Sequence, residues 1–255
     1  MTLLHIERLS HNFGGLRAVQ DFNLELQPGE LVAIIGPNGA GKTTVFNLIT
    51  GVYVPTEGRI RLNGEDLIGR KTHEIINRGI ARTFQTIRLF KELSALDNVR
   101  IAHYSRAGYS QWDALLRLPH FTGQEDRVRR EALELLDIFG MADLAEATSK
   151  NLPYGQQRRL EIARALATRP SLLLLDEPAA GMNPAEVERL METILWIRRE
   201  FKLTIVLIEH QMRVVMGIAE RIKVLDFGQT IAEGTPTEIQ NNPQVIEAYL
   251  GEEAA

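Results

Sequence analysis

Leu31-Val32-Ala33-Ile34-Ile35-Gly36-Pro37-Asn38-Gly39-Ala40-Gly41-Lys42-Thr43-Thr44, running on through Val45-Phe46-Asn47-Leu48-Ile49-Thr50 to Gly51, decides the fold. Five apolar residues predict a buried strand, the glycine-rich stretch a turn, and the amphipathic stretch after it a helix capped by Gly51. Within it lies the pattern G-x-x-x-x-G-K-[ST], the phosphate-binding P-loop. Its glycines let backbone N–H groups curl round phosphate oxygens, and the helix start adds its positive dipole end. The segment Gly36, Pro37, Asn38, Gly39, Ala40, Gly41, Lys42, Thr43 and Thr44 is therefore the expected nucleotide cradle. Lys42 is expected at the β- and γ-phosphates and Thr43 on Mg²⁺.

The bulk numbers narrow the class. A chain of 255 residues, 44% hydrophobic and 24% charged, can bury one α/β domain with a smaller appended subdomain. A net charge of -4 argues against a general affinity for nucleic acid. The absence of cysteine excludes disulfides, thiolate metal sites and thiol nucleophiles. Met1–Glu7 is too short and polar for a secretory segment, and no apolar run approaches the roughly 18–20 residues that cross a bilayer.

Alternation of apolar and polar residues predicts strands over 3–8 and 22–27, with a turn over 11–16. Arg59-Ile60-Arg61-Leu62 before Asn63-Gly64 predicts the first arm of a hairpin. Residues 72–79 read as helix, and Ile80 to Gln85 as a strand running out to a loop. From Leu93 to Gly140 the period is helical, broken from His103 to Gly123. That break carries Tyr104, Tyr109, Trp112 and Phe121, either an interaction surface or an exposed insertion packing its own aromatics. Helices follow over 155–168 and 184–199, buried strands over 172–175 and 203–208, a hairpin round Asp226-Phe227-Gly228-Gln229, and a last helix capped by Thr235. The Asp226-Phe227-Gly228 triplet spells a kinase magnesium motif but sits in a turn with no H-R-D loop upstream. The five other histidines (His5, His11, His73, His103, His120) share no metal-ligand spacing and read as surface residues. Arg158, Arg159 and Arg164 read as lining a helix face and a dimer seam.

Four further positions carry chemistry. Asp176 ends an apolar strand, where open α/β sheets bind ligands, and is the expected Mg²⁺-holding carboxylate. Glu177, next in the chain, is the candidate general base for an attacking water. His210, at the end of the next buried strand, is a candidate hydrogen-bond donor to the γ-phosphate. Gln85, also expected at a strand end, is a candidate contact for Mg²⁺ and water.

The stretch Leu152-Pro153-Tyr154-Gly155-Gln156-Gln157-Arg158-Arg159-Leu160-Glu161-Ile162-Ala163-Arg164-Ala165-Leu166 resembles the signature segment of ATP-binding-cassette (ABC) ATPases. With the P-loop, Gln85, Asp176-Glu177, Ala180-Gly181-Met182-Asn183 and His210 in order, the resemblance covers essentially the whole chain. It implies an α/β P-loop NTPase with a mixed central sheet, an antiparallel β subdomain and a helical subdomain. The ATP-binding core would span about 1–85 and 170–255, and the helical subdomain about 86–169. It further implies ATP hydrolysis with ATP and Mg²⁺ in a head-to-tail dimer, with Phe13 stacking on adenine and Thr44 at the α-phosphate. Gln85 matches the Q-loop glutamine, Glu177 the catalytic base, His210 the switch histidine, and Gly155 the contact to the partner's ATP. Three positions depart from the family pattern: Pro153 for Ser, Tyr154 for Gly, and Asn183 for Asp.

Finer resemblance, in Phe84-Gln85-Thr86-Ile87-Arg88-Leu89-Phe90, Ile208-Glu209-His210-Gln211-Met212 and Pro243 to Gly251, is to the LivG-type ATPase subunits of branched-chain amino-acid importers. It implies a peripheral subunit on the cytoplasmic face of the inner membrane. Its partners would be a second ATPase subunit, a different one or in the alternative a copy of this chain, with two permease chains, an extracytoplasmic solute-binding protein and no nucleic acid. Urea or other polar-solute importers, lipopolysaccharide-type exporters and a soluble regulatory ABC protein are the competing readings. A small GTPase would need an N-K-x-D motif, which is missing.

Overall fold

The structure, a computed structural model, describes residues 2–104 and 119–253. Tyr109 and Trp112 of the aromatic stretch lie outside the described residues, as does the Phe121 side chain. The described chain divides into two compact units, residues 1–82 with 171–255, and residues 83–170.

The first unit holds two sheets. β1 (Leu4–Phe13), β2 (Leu16–Leu26), β4 (Glu57–Leu62) and β5 (Glu65–Asp66) form an antiparallel sheet in the order β2-β1-β4-β5. β1 and β2 run further than their alternation predicts, because register shifts at Leu9 and His11 break the period-two pattern without ending the ladder. The expected turn over 11–16 shrinks to Gly14-Gly15. Asn63 and Gly64, with φ of 50° and 83°, make the tight hairpin the Asn-Gly pair predicts.

The second sheet is ordered β10-β9-β3-β8-β7-β6. Its strands are β3 (Leu31–Ile35), β6 (Ile80–Arg82), β7 (Leu172–Asp176), β8 (Thr204–Ile208), β9 (Arg221–Asp226) and β10 (Gln229–Gly234). All neighbours pair parallel except β9 with β10. Every residue of β3, β7 and β8 is buried, as continuous apolar runs require when both faces are covered. Because these strands are parallel, their carboxyl ends share one edge. α1 (Lys42–Ile49) follows β3 and ends at Gly51, whose φ is 70°. α2 (Thr72–Asn77) precedes β6, which stops at Arg82, so Gln85 lies three residues past the strand end rather than on it.

The second unit is helical, with α3 (Ala95–His103), α4 (Pro119–Ile138) and α5 (Tyr154–Leu166). Leu96, Val99, Ala132, Leu136, Leu160 and Ala163 are among its buried apolar residues. Asn98, fully buried, donates to the carbonyls of Phe90 and Ser94 and to Ser149 Oγ, and accepts from the Phe90 amide. Two surface readings are corrected in this unit. His103 is buried, its Nδ1 3.5 Å from Glu131 Oε2, and burial lowers its pKa from the usual imidazole value. Arg158 is fully buried and so lines no exposed seam.

In the first unit, α6 (Pro184–Glu200), α7 (Met212–Ile218), α8 (Pro236–Gln240) and α9 (Pro243–Glu253) complete the chain. Thr235 caps α8 as expected, but Asn241 ends that helix after five residues and Pro243 begins another, so the single last helix is two.

Candidate functional site

The P-loop leaves the end of β3 under tight steric constraint. A Cβ on Gly36, where φ is +147°, would lie 1.9 Å from the Leu225 carbonyl oxygen of β9. On Gly41, at φ +99°, it would lie 2.4 Å from Ala18 O of β2. Backbone cannot yield at such distances, so the glycines are set by the strands beside the loop as well as by phosphate access. The turn that spells a kinase motif proves to be a buttress. Phe227 and Gly228 have φ of 41° and 79°, Gly228 N donates to Ala40 O at 3.1 Å, and Gln20 N donates to Gly228 O at 2.8 Å. Lys42 opens α1 and is buried, its Nζ donating to Gly36 O and Pro37 O at 2.7 Å each. Thr43 is exposed beside it.

One strand over, β8 ends at Ile208 and delivers Glu209 and His210; next to it β7 ends at Asp176 and delivers Glu177. Glu177 has a φ of 48°, its N–H donates to Ile208 O at 2.8 Å, and its Oε1 lies 2.7 Å from His210 Nε2. An ionised carboxylate can only accept, so with Glu177 in that form Nε2 is the donor of this contact. Glu209 is the residue that the sequence reading passed over. It is buried, and its carboxylate accepts from the N–H groups of Ala179 at 2.7 Å, His210 at 3.0 Å and Gln211 at 3.3 Å. Burial pushes its carboxyl up, against the pull of those three amides.

Asp176 is 1% exposed, and Arg82 from the end of β6 donates to its Oδ2 at 2.8 Å. The same guanidinium donates to Asn47 Oδ1 at 2.7 Å and lies 5.4 Å from the Phe46 ring centroid. Asn47 is one helical turn after Thr43, so Arg82 ties the Asp176 carboxylate to the face of α1 that carries Thr43. Nothing in the local sequence signals Arg82 or Asn47, which meet only through the sheet order.

Phe13, the expected adenine contact, is 43% exposed at the end of β1. Its ring packs edge-on against His11 and Tyr53, with centroids at 4.6 and 5.2 Å. Gln85 and Gly155 belong to the second unit. Gln85 is exposed, and its carbonyl accepts from Arg158 Nη2 at 2.7 Å. Pro153 is the N-cap of α5, which begins at Tyr154-Gly155. Asn183 caps α6 in a capping box with Glu186, a role in which Asn equals Asp.

The comparisons with known proteins agree in kind. Residues 19–180 match the model of the ABC transporter family, and residues 229–255 that of the branched-chain amino acid ATP-binding cassette transporter. The chain is 47% identical to the high-affinity branched-chain amino acid transport ATP-binding protein LivG of Escherichia coli K12, covering 98% of each chain. It resembles the ADP conformation of MJ1267, an ATP-binding cassette of an ABC transporter, with a TM-score of 0.85 and 31% identity over 99% of this chain and 100% of that one. The post-hydrolysis dimer of the ATP-binding cassette MJ0796, bound to ADP and Pi, follows at 0.78 and 27%, over 92% of this chain and 99% of that one.

Proposed function

Since the chain belongs to the ATP-binding-cassette transporter family, we propose that it is the ATP-hydrolysing subunit of an importer for branched-chain amino acids. It works on the cytoplasmic face of the membrane, and among the described residues no helix is long and apolar enough to cross one. The observation that carries the chemistry is the 2.7 Å pair of Glu177 and His210 on the sheet edge that bears the P-loop.

In this reading the P-loop amides and Lys42 hold the phosphates of ATP, and Phe13 packs on the adenine. Glu177 takes a proton from the attacking water as its oxygen bonds to the γ-phosphorus and the bond to the β-phosphate bridging oxygen breaks, leaving ADP and phosphate. His210 orients the Glu177 carboxylate through Nε2 here and turns that N–H to the γ-phosphate when ATP is bound. Among the described residues no three His, Cys, Asp or Glu form a metal cluster. The donors at hand in the first unit are the Thr43 hydroxyl and the Asp176 carboxylate. Few hard oxygens fit Mg²⁺, which keeps waters and substrate phosphates as its other ligands. Once bound, that ion would neutralise charge on the transferring phosphoryl group.

The substrate class is supported by the LivG likeness and by the match at residues 229–255. The assembly proposed is a pair of ATPase subunits beneath two permease chains, fed by an extracytoplasmic binding protein. Pro153 and Tyr154 at the signature favour a second ATPase subunit of different sequence. The test is to isolate the intact membrane complex and ask which solute-loaded binding protein stimulates its ATPase. Stimulation by the leucine-, isoleucine- or valine-loaded protein is expected. Stimulation by urea or another polar solute alone would replace the substrate while leaving the ATPase in place. Two copies of this chain and no second ATPase in the complex would overturn the heterodimer.

A further inference from the structure

The second unit contains a buried ion pair that the ATPase reading does not use. Arg158 and Glu161 stand at i and i+3 on α5, with side chains 0% and 1% exposed, and Arg158 Nη1 donates to Glu161 Oε2 at 2.7 Å. The pair faces the backbone of the loop that carries Gln85. Arg158 Nη1 donates to Phe84 O at 2.5 Å and Nη2 to Gln85 O at 2.7 Å. Glu161 Oε1 accepts from Phe84 N at 3.4 Å and from Arg88 N at 3.3 Å. Four hydrogen bonds thus join Phe84, Gln85 and Arg88 of the loop to one turn of helix. Gln85 is exposed while its carbonyl is held. The start of the same helix, Tyr154-Gly155, lies one turn before Arg158, whose Nη2 is 3.4 Å from the Tyr154 hydroxyl.

A buried ion pair is weak evidence of stabilisation, since apolar residues of like volume often serve as well. What apolar residues cannot do is satisfy two successive carbonyls and two amides of an irregular loop. The guanidinium fork is suited to the first task and a carboxylate to the second. We infer that Arg158 and Glu161 are positioning residues for ATP turnover, locking the 84–88 backbone to α5 so that the Gln85 side chain and the Tyr154–Gly155 helix start move as one rigid piece. The inference rests on the roles proposed above for Gln85 and Gly155.

The test uses Arg158→Met/Glu161→Leu, which removes both charges and orphans neither, and Arg158→Lys, which keeps the charge but loses the fork. Hydrogen exchange is read on the full chain, and nucleotide affinity and turnover on the intact membrane complex. In the double variant, exchange of the 84–88 amides should accelerate about tenfold or more. Turnover should fall about tenfold or more, while nucleotide affinity stays within about twofold because the P-loop belongs to the other unit. Arg158→Lys should restore protection and turnover partly and in parallel. Unchanged exchange would overturn the inference, as would faster exchange with normal turnover, or a loss of turnover matched by a loss of nucleotide affinity. Failure of the underlying reading shows separately, as full turnover in Gln85→Ala.

Discussion

Glu177 Oε1 and His210 Nε2 meet at 2.7 Å across the ends of two adjacent parallel strands, although 33 positions separate them in the chain. The contact sets one acid–base pair on the edge where β3 gives way to the P-loop. Glu177→Gln keeps the shape and a hydrogen-bond acceptor but removes the base. Turnover at this site should fall by about 10²–10⁴-fold with ATP still bound, trapping the closed pair with the second ATPase subunit, visible by size-exclusion chromatography. Hydrolysis at the normal rate in this variant would sink the assignment.

Lys42 is buried and bonded to two loop carbonyls, so it is poised within the loop. Lys42→Ala removes its charge from the phosphate cradle. Nucleotide affinity, measured by titration calorimetry, should weaken by about tenfold or more, which is about 1.4 kcal/mol. An unchanged binding isotherm would refute its role.

The Arg82–Asp176 pair is buried on both sides. Arg82→Met leaves the Asp176 carboxylate buried without this guanidinium and should cost about 3–5 kcal/mol in urea unfolding. Arg61→Met, at a half-buried position on β4, serves as the control and should cost much less. Equal losses in the two variants would show that the network around Asp176 contributes nothing special.

Glu209 predicts a pH dependence. Burial raises its carboxyl above the ordinary 4.5, so folding favours the protonated form. That contribution is fully present below 4.5 and is lost as pH rises through the folded value. Glu209→Gln does not titrate. The stability difference between the two proteins should therefore shift in favour of the variant from about pH 4.5 toward neutrality, as read by urea unfolding. Glu161, which burial also raises, titrates in both proteins and cancels. A difference that is flat with pH would count against the raised value.

What was legible in the chain was whatever its chemistry needs in one short stretch. The P-loop, the apolar strand leading to Asp176-Glu177, the helix cap at Thr235 and the hairpin turn at Asn63-Gly64 are local signals, and local signals survive folding. His210 was legible because it follows a buried strand by two residues. Arg82, Asn47 and Glu209 were not, because each acquires its partner only when strands far apart in sequence become neighbours. Arg158 was misread for a plainer reason. A charged residue in a helix is usually solvated, and its partners here are backbone carbonyls that leave no trace in composition. The trace that existed was the stripe of Arg158, Glu161 and Ala165 at i, i+3 and i+7, opposite charges on a face that is otherwise small and apolar.

The order of strands around β3 also bears on how the protein is made. β3 is complete at residue 35, yet its two neighbours are β8 and β9, at 204–208 and 221–226, and the buttress of its loop is Gly228. At ribosomal speeds the nascent strand waits on the order of ten to forty seconds for them. During that interval the contiguous 83–170 unit can already fold, while a strand of five apolar residues stays unpaired. A chain released before Gly228 therefore has every residue of its P-loop but neither the β9–β10 turn nor the Ala40 contact that supports it. Premature termination here leaves an aggregation-prone intermediate rather than a smaller working enzyme.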